Sequence, residues 1–172
     1  MSDLARERDR GGNGTPTSRS EKAIRKRVRV PLPPDRAFDL FTQRVADWWP
    51  TALFSVAMYK GGTVQDVVIE PREGGAMYEV AEDGARSEWG TVTRWDPPSL
   101  LELEWFPGVD RSEATRIAVH FTPDGDGTLV ELVHDGLDAR PDGAALIERY
   151  TDGWDIVLAP YAALASESGR RT

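Results

Sequence analysis

The chain has 172 residues, of which 40% are hydrophobic, enough for one domain with a substantial core and too few for two. It contains no cysteine, which excludes disulfides and cysteine-ligated metal sites. The net charge of −8 argues against nucleic acid or an anionic membrane as the main partner.

The first segment, residues 1–20, is rich in Gly, Ser, Thr and Arg and has almost no large apolar residue, so we expect a disordered tail. It does not resemble a signal peptide, and no later run is long enough to span a bilayer, which favours a cytoplasmic protein. A single folded domain is expected over residues 21–168.

The domain begins with "AIRKRVRVPLPP", in which apolar residues alternate with Arg25, Arg27 and Arg29. This alternation predicts a half-buried strand with its arginines in solvent, and Lys26 is the one charged residue on the apolar side. Prolines end the strand and open "PPDRAFDLFTQRVADWW", whose spacing predicts two short helices.

Six short segments with alternating apolar residues follow, each ended by Gly, Pro or Asp turn signals, and they predict an antiparallel meander. They are "TVQDVVIE", "AMYEVA", "SEWGTVTRW", "LLELEWF", "TRIAVHF" and "TLVELVH". If the first and last strands pair, Glu131 lies beside the arginines of the first strand as a cross-strand partner.

The last element is "IERYTDGWDIVLAPYAAL", residues 147–164, whose apolar residues have helical spacing. Gly153 lies on the edge of the apolar face beside Trp154. We interpret this glycine as a site of close packing against a strand, with a notch for a ligand as the alternative. Pro160 cannot donate a backbone hydrogen bond, and we expect a bend there.

The chain contains two histidines, at positions of opposite parity in their strands. His134 shares the parity of Val130 and Leu132 and is expected inside, whereas His120 is expected in solvent. They therefore cannot share a metal ion, and no carboxylate pair has metal-ligand spacing, so no metal and no cofactor is predicted.

Six tryptophans are unusually many for a chain of this length, and most lie beside apolar stretches. Rigid indole rings either fill a core or line a cavity for a flat ligand, and the sequence leaves both open. The predicted ligand-binding residues are Trp48, Trp49, Trp89, Trp105, His134, Tyr150 and Trp154.

No motif indicates a nucleophile with its base: the chain has no G-x-S-x-G and no phosphate-binding glycine loop. A binding function without catalysis is therefore favoured. If a reaction is catalysed, His134, Tyr150 and Glu70 are the first candidates for an acid or base.

Several strings resemble the START-like superfamily, also called SRPBCC, and within it the family named after the activator of the heat-shock protein 90 ATPase. They are the "WW" at 48–49, "EPREGG" at 70–75, "WGTVTRWDPP" at 89–98, "LELEW" at 101–105, "GTLVELVHDGL" at 127–137 and "GW" at 153–154. The resemblance implies an α+β helix-grip fold, in which a curved antiparallel sheet of about seven strands wraps a long C-terminal helix and encloses a cavity.

Because that fold serves several functions, the resemblance alone names none. We expect a protein that binds a small hydrophobic or aromatic molecule. A co-chaperone-like activator of an ATPase, which requires a protein partner, and a cyclase- or hydrolase-like enzyme on an aromatic substrate remain as alternatives.

Overall fold

Seven strands form one sheet in the computed structural model, which describes residues 22–171. They are β1 (Ile24–Val30), β2 (Val64–Ile69), β3 (Ala76–Ala81), β4 (Arg86–Asp96), β5 (Leu100–Trp105), β6 (Thr115–Asp124) and β7 (Gly127–Asp135). Every neighbouring pair is antiparallel, in the order β1-β7-β6-β5-β4-β3-β2. Register shifts interrupt the pairing within β2–β3, β3–β4 and β4–β5, and such bulges bend and twist a sheet.

Four α-helices complete the fold: α1 (Pro34–Thr42), α2 (Val45–Trp48), α3 (Val56–Tyr59) and α4 (Gly143–Arg170). The predicted α+β class, the strand number, the two short helices after the first strand and the long C-terminal helix are therefore confirmed. The third short helix, α3, was not predicted. Ser55 caps it by accepting a hydrogen bond from the backbone N–H of Met58. The predicted tail, residues 1–20, lies outside the described residues.

The core lies between the inner face of the sheet and α4, with α1 and α2 closing one end. Tyr161 of α4 is completely buried there and donates a hydrogen bond from its hydroxyl to the carbonyl of Ala37 in α1. Burial raises the pKa of the Tyr161 phenol, so the group is protonated and acts as a donor at neutral pH. α4 runs without a break through Pro160.

The polar side chains of β1 follow the predicted alternation. Arg27 and Arg25 lie beside Glu131 of β7, which confirms the expected cross-strand partner. Lys26 lies on the other side and contacts Asp155 of α4, with 2.9 Å between Nζ and Oδ2. The one charged residue on the apolar side thus joins the first strand to the gripped helix.

β6 is longer than the sequence predicts, because it continues through Pro123 to Asp124 instead of stopping at Phe121. The neighbouring β5 begins at Leu100, which pairs with His120, so the last residues of β6 have a partner strand on one side only. Proline lacks an N–H to donate and is accepted at such an edge. No helix of the described residues is long and apolar enough to cross a membrane.

Candidate ligand-binding cavity

A cavity of about 360 Å³ lies between α4, the segment that contains α3, and the ends of β4 and β5. Its walls are predominantly aromatic and apolar. It is lined by Trp49, Phe54, Ser55, Val56, Tyr59, Lys60, Trp89, Trp105, Pro107, Gly108, Arg149, Tyr150, Gly153, Trp154 and Val157. One end reaches the surface at Tyr59, which is 73% exposed, so the cavity is a pocket with a mouth and is not fully enclosed.

Four tryptophans from different elements meet at the inner end of the cavity. Trp49 follows α2, Trp89 is in β4, Trp105 ends β5 and Trp154 is in α4, and all four are buried. The ring centroid of Trp49 lies 5.0 Å from that of Trp89 and 6.0 Å from those of Trp105 and Trp154. Residues more than a hundred positions apart thus form one aromatic wall.

Each of these four indoles donates its only N–H to a protein acceptor. Trp49 donates to the carbonyl of Phe54 at 2.8 Å, and Trp105 donates to the hydroxyl of Tyr150 at 3.1 Å. Trp89 and Trp154 donate to Glu79 and His134, at 2.6 and 3.0 Å. An indole has one donor and no acceptor, so the tryptophan walls present only apolar surface to the cavity.

His134 lies behind this wall and does not line the cavity. Because its Nδ1 accepts the N–H of Trp154, its proton is on Nε2, which donates to Thr115 Oγ1 at 2.7 Å. Complete burial lowers the pKa of His134 to about 3, so the ring is neutral around pH 7. The predicted inward orientation is confirmed, but the residue positions Trp154 and does not touch the space where a ligand fits.

The other predicted site residues divide into two groups. Trp49, Trp89, Trp105, Tyr150 and Trp154 all line the cavity. Trp48 does not: its ring packs against Phe41 and Tyr161, and its N–H donates to the carbonyl of Leu40. The rings of Trp48 and Trp49 are in contact, with their centroids 5.7 Å apart, but only Trp49 lines the cavity.

Glu70, a candidate acid or base, is also outside the cavity. Its side chain accepts the backbone N–H of Ala76 and contacts Arg72, and both interactions stabilise the turn between β2 and β3. The hydrogen bond from Ala76 lowers the pKa of Glu70, the effect expected when a carboxylate accepts a backbone N–H. The residue therefore organises a hairpin and has no contact with the cavity.

Glu79, which the sequence analysis did not single out, supports two walls of the cavity from behind. It is 1% exposed, and its carboxyl oxygens accept the backbone N–H groups of Val56 and Ala57, at 2.8 and 2.6 Å, besides the indole of Trp89. The signal was present, because Glu79 shares the parity of buried Met77 in β3. One buried carboxyl group thus fixes both α3, which forms one wall of the cavity, and the indole opposite.

Gly153 corrects a second expectation. A methyl group built on it would meet only the ring of Phe54, at 3.7 Å, which is an ordinary van der Waals distance, and no strand lies within 4 Å. The prediction of close helix–strand packing is therefore wrong. Gly153 lines the cavity, so the missing side chain leaves space beside Trp154.

Within residues 22–171, no group of three His, Asp or Glu residues lies close enough together to bind a metal ion.

Tyr150 brings a polar group to the aromatic part of the cavity, where its hydroxyl contacts Trp105 and its ring contacts His134. Its hydroxyl accepts from Trp105, and burial raises its pKa, so it keeps its proton. It has no hydrogen-bond acceptor within the described residues, and its O–H can donate to a bound molecule.

A curved antiparallel sheet that grips a C-terminal helix over an aromatic cavity defines a helix-grip protein. A comparison with family models matches residues 31–165 to the family "Activator of Hsp90 ATPase homolog 1-like protein". This match covers more than half of the chain, which therefore belongs to that family. A comparison with curated proteins gave no match.

Similar solved structures include an anthrahydroquino-gamma-pyrone synthase, Txn09, complexed with SUM. It is 34% identical, with a TM-score of 0.57, over 82% of this chain and 95% of that one. Protein MLL2253 from Mesorhizobium loti is 16% identical, with a TM-score of 0.61, over 83% and 95%. The Aha1 dimer from Colwellia psychrerythraea is 14% identical, with a TM-score of 0.53, over 81% and 92%. At 16% and 14% identity, the last two structures show a shared fold and nothing further.

Proposed function

We propose that this protein binds a small, planar aromatic molecule in the cavity beside α4. The observation that carries the proposal is the wall of four indoles whose N–H groups are all used within the protein. Such a wall offers flat apolar surface and no donor, which suits the face of an aromatic ring system. The volume, about 360 Å³, lies in the range of about 300–1,000 Å³ typical of small-molecule pockets.

The similarity to Txn09 supports this ligand class. The two chains are 34% identical over nearly the whole of Txn09, and its description names a compound with a fused aromatic ring system. A cavity with aromatic walls on the same fold is consistent with a ligand of the same general shape. The absence of a side chain at Gly153 widens the cavity beside Trp154, where such a ring could stack.

Isothermal titration calorimetry with a planar probe and its saturated counterpart tests the proposal. We expect 2-naphthamide to bind and decahydro-2-naphthamide to bind about tenfold more weakly, since only the flat ring stacks on indoles. Gly153→Leu places a side chain in the cavity and should abolish binding. Ala163→Leu, at an exposed position of the same helix, is the matched control. Binding that survives Gly153→Leu, or no preference for the planar probe, would contradict the proposal.

A second candidate is a ring-forming enzyme, favoured by the same similarity and by the free donor of Tyr150. When an aryl hydroxyl attacks the distal carbonyl of an attached 1,3-diketone, a C–O bond forms and water leaves, giving a γ-pyrone. The O–H of Tyr150 would donate to the carbonyl oxygen as negative charge develops on it. Because burial raises its pKa, the phenol of Tyr150 stays protonated at neutral pH and acts here as a hydrogen-bond donor to the developing negative charge, not as a base.

This candidate is tested by incubating the protein with 1-(1-hydroxynaphthalen-2-yl)butane-1,3-dione and following the absorbance of the γ-pyrone product. Turnover that falls about a hundredfold in Tyr150→Phe would support a catalytic donor at this position. Binding without turnover would leave the protein as a ligand carrier and eliminate the enzymatic role for this substrate class.

A further inference from the structure

Two positively charged side chains line the cavity: Lys60, directly after α3, and Arg149, one residue before Tyr150. No Asp or Glu among residues 22–171 lines it. Both side chains are exposed. In a chain with 29 acidic and 21 basic residues, a cavity with only basic charged residues departs from the balance of the whole protein.

These two cations are also without partners, unlike most others. Among residues 22–171, the Lys and Arg side chains with no hydrogen bond or ion pair are Lys60, Arg149, Arg170 and Arg171. The last two are at the C-terminal end of α4, where positive charge is favourable because of the helix dipole. Lys60 follows α3, but that helix has only four residues and a correspondingly small dipole, and Arg149 lies within α4 and not at its C-terminal end. Both charges line a cavity whose walls are mainly apolar.

The polar group inside the cavity is a donor as well. The hydroxyl oxygen of Tyr150 already accepts from Trp105, and its O–H is a donor that remains for a ligand. The hydroxyl of Ser55, also in the lining, donates to the carbonyl of Thr51 and accepts from Met58, so it has no donor left. From its inner end to its mouth, the cavity therefore offers donors and positive charge to a ligand.

We propose that the ligand is an anionic aromatic compound, with an oxygen acceptor at Tyr150 and a carboxylate, or an ionised phenol or enol, between Lys60 and Arg149. This inference rests on the proposed function and narrows its ligand class. Three observations carry it: the apolar indole wall, the single unused donor inside, and the two unpaired cations at the mouth. A neutral ligand would leave both cations without a partner, and a cationic one would be repelled.

The test compares three probes with one ring system: 2-naphthoate, the neutral 2-naphthamide and the cationic 2-naphthylmethylammonium. By calorimetry at low salt we expect naphthoate to bind about tenfold or more tightly than naphthamide, and the ammonium probe most weakly. Added salt should reduce the difference between naphthoate and naphthamide, because exposed charges are screened. This salt series needs no variant and so does not depend on the folding of one.

The double variant Lys60→Met, Arg149→Met should bind naphthoate and naphthamide equally, with its naphthamide affinity unchanged. Arg170→Met is the matched control, since that arginine is also unpaired and exposed, and it should keep the full preference for naphthoate. Equal binding of naphthoate and naphthamide by the unaltered protein would overturn the charge inference and leave the proposed function intact. No binding of any probe would overturn both.

Discussion

The indole N–H of Trp154 donates to Nδ1 of His134 across 3.0 Å, and this bond joins α4 to β7 behind the cavity. It also determines the tautomer of the histidine, whose Nε2–H donates to Thr115. Protonation of Nδ1 would place two donors against each other in a fully buried site. Because the hydrogen bond between Trp154 and His134 would then be lost, we expect the contact between these two residues to be destabilised in acid.

Stability should therefore depend on pH through His134. Its folded-state pKa, about 3, lies below the ordinary value of 6.5, so between these values the unfolded chain binds a proton that the folded protein does not. The free energy of unfolding should then fall as pH is lowered through this window, by up to about 1.4 kcal/mol per pH unit from this residue. Above pH 6.5 the histidine is mostly neutral in both states, so its contribution to stability no longer changes with pH.

Urea unfolding across this pH window measures the effect. His134→Gln should have a flatter pH dependence than the unaltered protein, and a lower stability at neutral pH because Trp154 and Thr115 lose well-placed partners. Parallel curves for the unaltered protein and His134→Gln would show that the histidine charges without penalty.

Glu79→Gln should loosen the wall formed by α3. The glutamine amide keeps one oxygen acceptor, but its NH₂ group would face N–H donors where the second carboxyl oxygen accepts. We therefore expect the free energy of unfolding to fall by about 1–3 kcal/mol. Hydrogen exchange at the amides of Val56 and Ala57 should accelerate, since those N–H groups donate to Glu79. Glu82→Gln, at an exposed position, is the control. Unchanged exchange at both amides would mean that Glu79 does not hold α3.

Two glycines of α4 should respond to alanine with opposite signs. At Gly153 the new methyl group has room, so Gly153→Ala should raise stability by about 0.4–1 kcal/mol through helix propensity. At Gly169 it would lie 2.9 Å from the carbonyl oxygen of Pro31, and such overpacking costs about 1–3 kcal/mol. Thermal unfolding of both variants gives the signs. A lower melting temperature for Gly153→Ala would restore the close-packing interpretation.

Glu131→Gln should have a small effect in spite of its two arginine neighbours. The side-chain hydrogen bond from Arg27 lowers the pKa of Glu131, so its contribution to stability is present at neutral pH and lost as the carboxylate is protonated in acid. Since Arg27 is largely exposed, we expect only about 0.2–1 kcal/mol at neutral pH. Urea denaturation of the variant and the unaltered protein measures the difference. A decrease of several kcal/mol in the free energy of unfolding would show that this ion pair is shielded from solvent.

Much of the architecture could be predicted because it depends on local periodicity. Alternation in β1 and β7 determined which way Arg27, Glu131 and His134 point, and helical spacing identified α4 before any contact was known. Parity also places Glu79 on the inward side of β3, a signal that the sequence analysis did not use, and the pattern does not tell what a buried carboxyl group binds. Its partners Val56 and Ala57 lie in α3, and Trp89 lies in the neighbouring strand β4, so the three donors meet only when these elements pack together.

The sequence by itself determined the class of the fold, the inward and outward faces of its elements, and a supply of aromatic side chains large enough for a cavity wall. Tertiary structure decided which of these aromatics face empty space: Trp49 but not Trp48, and Trp154 but not His134. It also paired Lys26 with Asp155 and left Lys60 and Arg149 unpaired at the mouth. The physical reason is that cavities and ion pairs depend on distances between elements, and those distances result from how the whole sheet curves around α4.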